Sequence, residues 1–337
     1  MKTQAKFGKW GLMLATLFFA LSTSSCMEGF IYEGEGDCNT YYNIKFKYDY
    51  NMKFADAFAS EVNSMSLYVF DQSNTLVESV VVDDVEKLQA ADFYIPLELN
   101  SGKYELVAWA GLMNEESFDL LANVEKGKTK REELQVALKT TDDKRVKEDL
   151  QPLYHGAMTL DYTSEPGTYT ETLSLVKNTN VVRVVLQQMS ADLDSDKLRY
   201  EITADNGLLD WNNEVVANGT LTYEPWSVAS GVAEMANTRA DEVSVAVAEF
   251  TISRIIEGNS PILTVYNIEE DKPVLSIPVA DYALLVKGNY NREMSNQEYL
   301  DRQDEYNMTF FLDKDGNWLS TSIIINSWRV VFNDDIL

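Results

Sequence analysis

His155, in the tetrapeptide LYHG, is the single imidazole of a 337-residue chain, and it bounds the chemistry available. A zinc site of the H-E-x-x-H kind needs two histidines and is excluded. A Ser-His-Asp triad would have to use His155, and no G-x-S-x-G elbow presents a serine to it. A structural role for His155 is therefore expected. Glycoside hydrolysis asks only for two facing carboxylates, and 54 Asp and Glu residues supply many pairs without marking one. The run DLDSDK (Asp192–Lys197) spaces three aspartates as calcium loops do. It lacks the sixth-position Gly and the distal Glu of an EF-hand, so it reads as a solvated turn. DKDGNW (Asp313–Trp318) reads as the Asp-Gly connection of a hairpin. Trp109, Trp211, Trp226, Trp318 and Trp328 could stack on sugar rings, although tryptophans in a β-sandwich are core residues first. No catalytic residue, metal site or cofactor is expected.

Chemistry of another kind is written at Cys26. Lys2, Lys6 and Lys9 precede the apolar run WGLMLATLFFAL, and small residues at Thr23, Ser24 and Ser25 lead to the cysteine. This is the order of a secretory signal, and its apolar run is short for a membrane-spanning helix, which needs about 20 residues. Small residues followed by a thiol suit a bacterial lipoprotein signal. In that reading residues 1–25 are removed, Cys26 takes a diacylglycerol and an N-acyl chain such as palmitate, and residues 26–38 form a tether rich in Gly and Glu. Each buried CH₂ adds about 0.8 kcal/mol, so several chains hold where one is marginal. The alternative is an ordinary signal peptide with a chance cysteine, in which case Cys26 and Cys38 could form a disulfide. With Cys26 lipidated, Cys38 has no partner. Removing the signal takes away three lysines and no acidic residue, so a chain of formal net charge −26 becomes more acidic still. Nucleic acid and anionic headgroups are unfavourable partners for such a surface.

The elements that carry these residues alternate with period two. YNIKFKYDY, SMSLYVFD, DFYIPLEL and GKYELVAWA in the first half, and LRYEITA, SVAVAEFTISRII, PILTVYNI and YNMTFFLD in the second, are short, rich in β-branched and aromatic residues, and bounded by turn formers. Helical pattern is confined to Met52–Val62, Met113–Val124 and Ser295–Gln303, the last with Ser295 as N-cap and Glu298 three residues on. The charged run Thr140–Leu150 reads as an exposed loop. A Pro-Gly turn within Asp161–Glu171 places a domain boundary near residue 168. The fold class is all-β: two β-sandwiches in tandem, residues 39–168 and 169–337, with a few short helices.

FKYDYNMKFADAFASEV (Phe46–Val62) followed by LYVFD, GKYELVAWAGL (Gly102–Leu112), LYHG (Leu153–Gly156), NQEYLDRQDEYNMTFFLD (Asn296–Asp313) and IIINSWRVV (Ile323–Val331) together resemble the FimB-type (Mfa-like) anchor lipoproteins of type V fimbriae in Bacteroidales. The resemblance implies two transthyretin-like sandwiches, lipidation at Cys26, an outer-membrane and cell-surface location, and a role in adhesion. That role is holding the base of a fimbria and limiting its length through a shaft subunit. It implies no catalytic residue. Shaft subunits of this kind lose an N-terminal strand and accept a neighbour's strand in the groove left behind. Here the same cut would remove Cys26 and its lipid, so the anchor is expected to donate only. The donor candidate is the C-terminal segment from Ser320, in which Ile323, Ile325, Ser327 and Arg329 alternate with Ile324, Asn326, Trp328 and Val330. Ile323, Ile325, Trp328 and Val330 are the candidate partner contacts. Two alternatives stay open: the segment is a core strand of the second sandwich, or the chain is a surface glycan-binding lipoprotein.

Overall fold

The computed structural model describes residues 40–100, 102–113, 117–162, 167–188, 193–234, 242–288 and 292–331. The signal, Cys26, the tether and Cys38 lie outside them. Strands dominate, as the period-two alternation predicts, and no helix among the described residues is long and apolar enough to cross a membrane.

In the first sandwich a three-stranded sheet, ordered Gly167–Ser174, Thr40–Lys47, Ile95–Leu99, shares a core with a five-stranded sheet. That sheet runs Val176–Lys177, Tyr154–Tyr162, Gly102–Ala110, Met65–Phe70, Leu76–Val82. The first strand sits in the middle of its sheet, parallel to Gly167–Ser174 and antiparallel to Ile95–Leu99. Its alternation sends Tyr42, Ile44 and Phe46 into the core. In the second sandwich a six-stranded sheet runs Ser227–Glu234, Glu242–Ser253, Thr179–Gln188, Glu305–Leu312, Trp318–Ile325, Trp328–Val331. Its partner sheet runs Lys272–Pro278, Ile262–Asn267, Leu198–Ala204, Leu221–Tyr223, Arg145–Val146.

The two sandwiches are not separate bodies. All six residues of Met65–Phe70 are buried. Met65, Leu67 and Val69 face the first core, while Tyr68 and Phe70 face the other way into the large core of the second sandwich, joined there by Val107 and Trp109. A small sheet (Leu208–Leu209, Val136–Leu138, Phe118–Leu120) takes strands from both halves of the chain. Residues 40–337 accordingly form one compact unit. The expected boundary at 168 falls inside Gly167–Ser174, a strand of the first sandwich. The chain crosses over between Lys177 and Thr179.

Three local expectations are corrected. Met113–Val124 contains the strand Phe118–Leu120, paired with Val136–Leu138, because burying Phe118 against the shared core overrides a weak helical pattern. Met52–Val62 is helical only over Phe58–Glu61. The run Thr140–Leu150 is exposed in part, but Arg145–Val146 joins the second sandwich's sheet and Val146 and Leu150 are buried. The helix Asn296–Arg302 forms where expected, with the Ser295 hydroxyl accepting from the Glu298 N–H at 3.0 Å.

Polar contacts cluster where the halves meet and in the part of the second half beside that junction. Asn178 and Asn213 exchange side-chain amide hydrogen bonds of 2.7 and 3.0 Å in the interior. Arg254 grips Asp301 with two bonds of 2.9 and 2.8 Å, and also donates to the Asn213 carbonyl. The Lys177 ammonium reaches Asp304 at 2.8 Å and Glu61 at 3.4 Å. Arg302 lies over the Tyr50 ring. Two glycines of the recognised motifs are needed for close approach. A Cβ on Gly156 would stand 2.2 Å from Leu173 Cδ2, and one on Gly111, at φ +90°, would stand 2.1 Å from the Pro152 carbonyl oxygen.

His155 belongs to this interface. It packs edge-on against Trp109, and its Nε2 lies 2.9 Å from the Trp211 carbonyl. A carbonyl only accepts, so Nε2 carries the proton. Burial pushes the imidazole down to about 4, opposed by the Trp211 bond and assisted by Arg254. The folded state therefore binds fewer protons than the unfolded state between about pH 6.5 and 4. Stability is at its full value above that window and is lost as pH falls through it, by about 3 kcal/mol over the whole span. Replacing His155 by Gln should flatten the pH dependence of urea midpoints between pH 7 and 4 relative to the parent. Parallel curves would refute this account.

Candidate functional site

The predicted partner-contact residues lie at the C-terminal flank of the six-stranded sheet. After Glu305–Leu312 the chain turns through Asp313–Asn317. Asp313 holds its carboxyl below the usual range because it accepts from the Asn317 N–H (2.8 Å), the Asn317 side-chain amide (3.2 Å) and the Asp315 N–H (2.9 Å). Gly316 occupies the left-handed region at φ +82°, the hairpin connection that Asp-Gly implies. Trp318–Ile325 then returns antiparallel, with a register shift between Phe310 and Leu312, and Trp318 meets Phe310 edge-on at 5.7 Å.

The expected continuous alternation beyond Ile325 does not occur. Asn326 (φ 46°) and Ser327 (φ 72°) make a two-residue turn, and Trp328–Val331 folds back on Trp318–Ile325. The turn is docked: the Asn326 N–H donates to the Asn307 carbonyl at 2.8 Å, and its Oδ1 accepts from the Asn307 N–H at 2.7 Å. Pairing sets Ile323 opposite Val330 and Ile325 opposite Trp328. Directly opposed residues share a face, so all four candidates lie on one side of the sheet instead of two. Their burial separates them again. Ile323 and Ile325 are wholly buried in the large core, and Val330 is half-buried against it. Trp328 is 59% exposed. Ile323 and Ile325 cannot reach a partner without opening the core, whereas Trp328 and Val330 stand on an edge strand whose outer side has no neighbour among the described strands.

Beside this edge lies a cleft of about 460 Å³ that sequence reading did not anticipate. Trp328, Arg329 and Val330 form one wall, Leu285–Gly288 after the helix Val279–Leu284 form another, and Met52 from the first sandwich lines it with Tyr299. Burial raises the Tyr299 phenol, which stays neutral. No signal in the sequence links Met52, Leu285 and Trp328. They converge where the two sandwiches dock: the Met52 N–H donates to the Arg302 carbonyl at 3.1 Å, and the Arg302 side chain donates to the Asp49 carbonyl at 3.2 Å. The cleft holds no acid–base pair, and among the described residues no group of three His, Cys, Asp or Glu side chains could hold a metal. The arrangement is suited to an apolar contact and backbone pairing. The other tryptophans form no platform: Trp109 is buried, Trp211 lies under Arg131 at 3.7 Å, and Trp226 stands at the opposite flank of the sheet.

Over residues 35–334 the chain matches the family described as fimbrillin-A associated anchor proteins Mfa1 and Mfa2. Among solved structures it is similar to a candidate adhesin of Bacteroides thetaiotaomicron, at 35% identity, with 89% of this chain and 100% of that one covered and a TM-score of 0.79. A candidate polysaccharide-binding protein from the same organism is 27% identical over 89% and 100% of the two chains, with a TM-score of 0.75. The fimbrial anchor protein Mfa2 of Porphyromonas gingivalis shares the fold at 16% identity, covering 88% and 100%, with a TM-score of 0.66. No curated protein sequence matches the chain.

The differing burial of the four candidates can be measured. Ile325→Ala should cost about 2–5 kcal/mol of stability, and Trp328→Ala less than about 0.5 kcal/mol, read from denaturant midpoints. Equal costs would mean that Trp328 is a core residue after all. Ser327 occupies a left-handed conformation that costs an L-residue about 1–2 kcal/mol, so Ser327→Gly should raise the melting temperature. A lower one would contradict the turn geometry.

Proposed function

Because this chain belongs to the family of fimbrillin-A associated anchor proteins, we propose that it holds the base of a fimbria to the outer membrane through acyl chains on Cys26. We place its contact with a shaft subunit at the C-terminal edge strand. The observation that carries the reading is the position of the first strand. Thr40–Lys47 is paired on both sides, and Tyr42 and Ile44 are wholly buried. A subunit whose first strand is retained offers no open groove in that sheet for an incoming strand.

An anchor whose first sheet is closed to an incoming strand can still donate or abut. The outer strand Trp328–Val331 has no neighbour on its outer side among the described strands, and an exposed Trp328 stands next to the apolar cleft. Backbone pairing supplies affinity in such contacts and side-chain pockets supply selectivity. A chain that engages one shaft subunit and offers no groove in its first sheet for the next ends the fibre, which is the basis for length control. A glycan-binding role is supported less well, because the tryptophans are buried, covered or placed on opposite flanks.

Two variants in the parent bacterium test this. Cys26→Ala should release protein and fibres together into the medium. Deleting Trp328–Leu337 should leave the protein in the membrane fraction while fibres are shed. Fibres that remain cell-bound in the deletion strain, with the protein folded and present, would remove the C-terminal contact from the proposal. A Cys26 found without lipid by mass spectrometry would remove the anchor.

A further inference from the structure

The six-stranded sheet has a second flank, formed by Ser227–Glu234. This strand pairs with Glu242–Glu249 in unbroken register over its whole length, and among the described residues no strand lies on its outer side. Edge strands of soluble proteins are ordinarily blunted by brevity, Lys, Pro, a bulge or a covering element. SVASGVAE has no charge before Glu234, no proline and no bulge, in a chain where about a quarter of the residues are charged (24%).

Its apolar side chains are also only partly covered on the side where a sandwich should be closed, where the short turn Ser195–Lys197 reaches Ser230 between them and goes no further. Val228 and Val232 lie opposite Ala248 and Ser244, which are buried, so the valines point to the core side of the sheet. Yet they are 46% and 57% exposed. The opposing sheet explains this. It finishes with the three-residue strand Leu221–Tyr223, which leads through Pro225 directly into the edge strand, and the two-residue strand Arg145–Val146. Trp226, 38% exposed, stands at the strand's entrance. On the opposite face a Cβ added at Gly231 would meet nothing within 4 Å. The flank therefore offers free backbone groups, two bare valines and an aromatic side chain in one line.

We propose that this flank receives an extended strand from a partner protein, added as a seventh strand whose side chains close over Val228 and Val232. The charge of the chain selects the occupant. Asp194 and Asp196 are exposed on either side of Ser195, whose hydroxyl is bonded to that of Ser230 at 3.0 Å, so carboxylates border the edge. A second copy would bring its own aspartates and a formal charge of −26 against the first. A partner strand of alternating apolar and polar residues with Lys or Arg at its ends meets both the valines and the carboxylates. This contact is separate from the C-terminal one and stands if that one fails.

The probe is a strand-length peptide of alternating valine and threonine, about eight residues long, with lysine at both ends and a fluorescent label. Anisotropy titration of the purified protein should show saturable binding, and hydrogen exchange should slow across Ser227–Glu234. Val228→Lys with Val232→Lys should weaken binding by about tenfold or more while leaving the melting temperature unchanged, because both side chains are exposed. The same peptide with alternate backbone amides N-methylated should not bind, which tests strand addition independently of any variant. Binding without slowed exchange at this strand, or undiminished binding of the N-methylated peptide, would overturn the proposal. So would sedimentation of the peptide-free protein as a dimer with this strand already protected, which would make a second copy the occupant.

Discussion

The strand Met65–Phe70 has no face for water, and the architecture follows from that. A strand buried on both sides must be covered twice. The three-stranded sheet containing Thr40–Lys47 covers one side, and the segments around Phe118, Val136 and Val146, backed by the second sandwich, cover the other. Tyr68, Phe70, Val107 and Trp109 are thus core residues of both halves at once. Separating the sandwiches would expose these side chains, each worth about 1.5–3 kcal/mol of burial. An interface of that kind behaves as the interior of one domain rather than as a hinge.

Apolar burial alone would leave the relative orientation of the halves loosely specified, since it is non-directional. The polar contacts supply direction. The reciprocal amides of Asn178 and Asn213 are satisfied only in one geometry, and within the second half the Arg254 fork holds Asp301 in one plane, next to Arg302, whose carbonyl receives the Met52 N–H of the first half. Buried ion pairs are weak evidence for stability, but removing one partner is strongly destabilising because the other is left uncompensated. The Asn178–Asn213 pair lies at the seam, and the neutral His155 is part of the same packing.

A shared core matters for a protein in an anchor family. The chain enters the body at Thr40, in the middle of a sheet, and its described part ends at Val331, on the outer strand of a different sheet. A load applied between those points crosses the shared core rather than a linker. The cleft beside Trp328 depends on the same seam, because Met52 reaches it only while the first sandwich is docked on Arg302.

Much of this was legible in the residues themselves. Period-two runs of β-branched and aromatic residues determined an all-β chain, Ser295 with Glu298 marked the one helix predicted in the right place, and Asp313–Gly316 marked a hairpin. These are local signals, set by side-chain alternation, capping and turn preference over a few residues. Tertiary structure decided what local signals cannot carry. The run from Ile323 looked like one strand because β-branched and aromatic residues stand on both sides of Asn326-Ser327, which lacks the glycine that usually announces a tight turn; only pairing with Glu305–Leu312 shows where it folds back. Phe118 left a weak helical pattern for a strand because Val136–Leu138 and a core were waiting for it. The cleft and the open flank at Val228 have no sequence signature at all. They are gaps between elements far apart in the chain, and a gap is defined by where its walls stop.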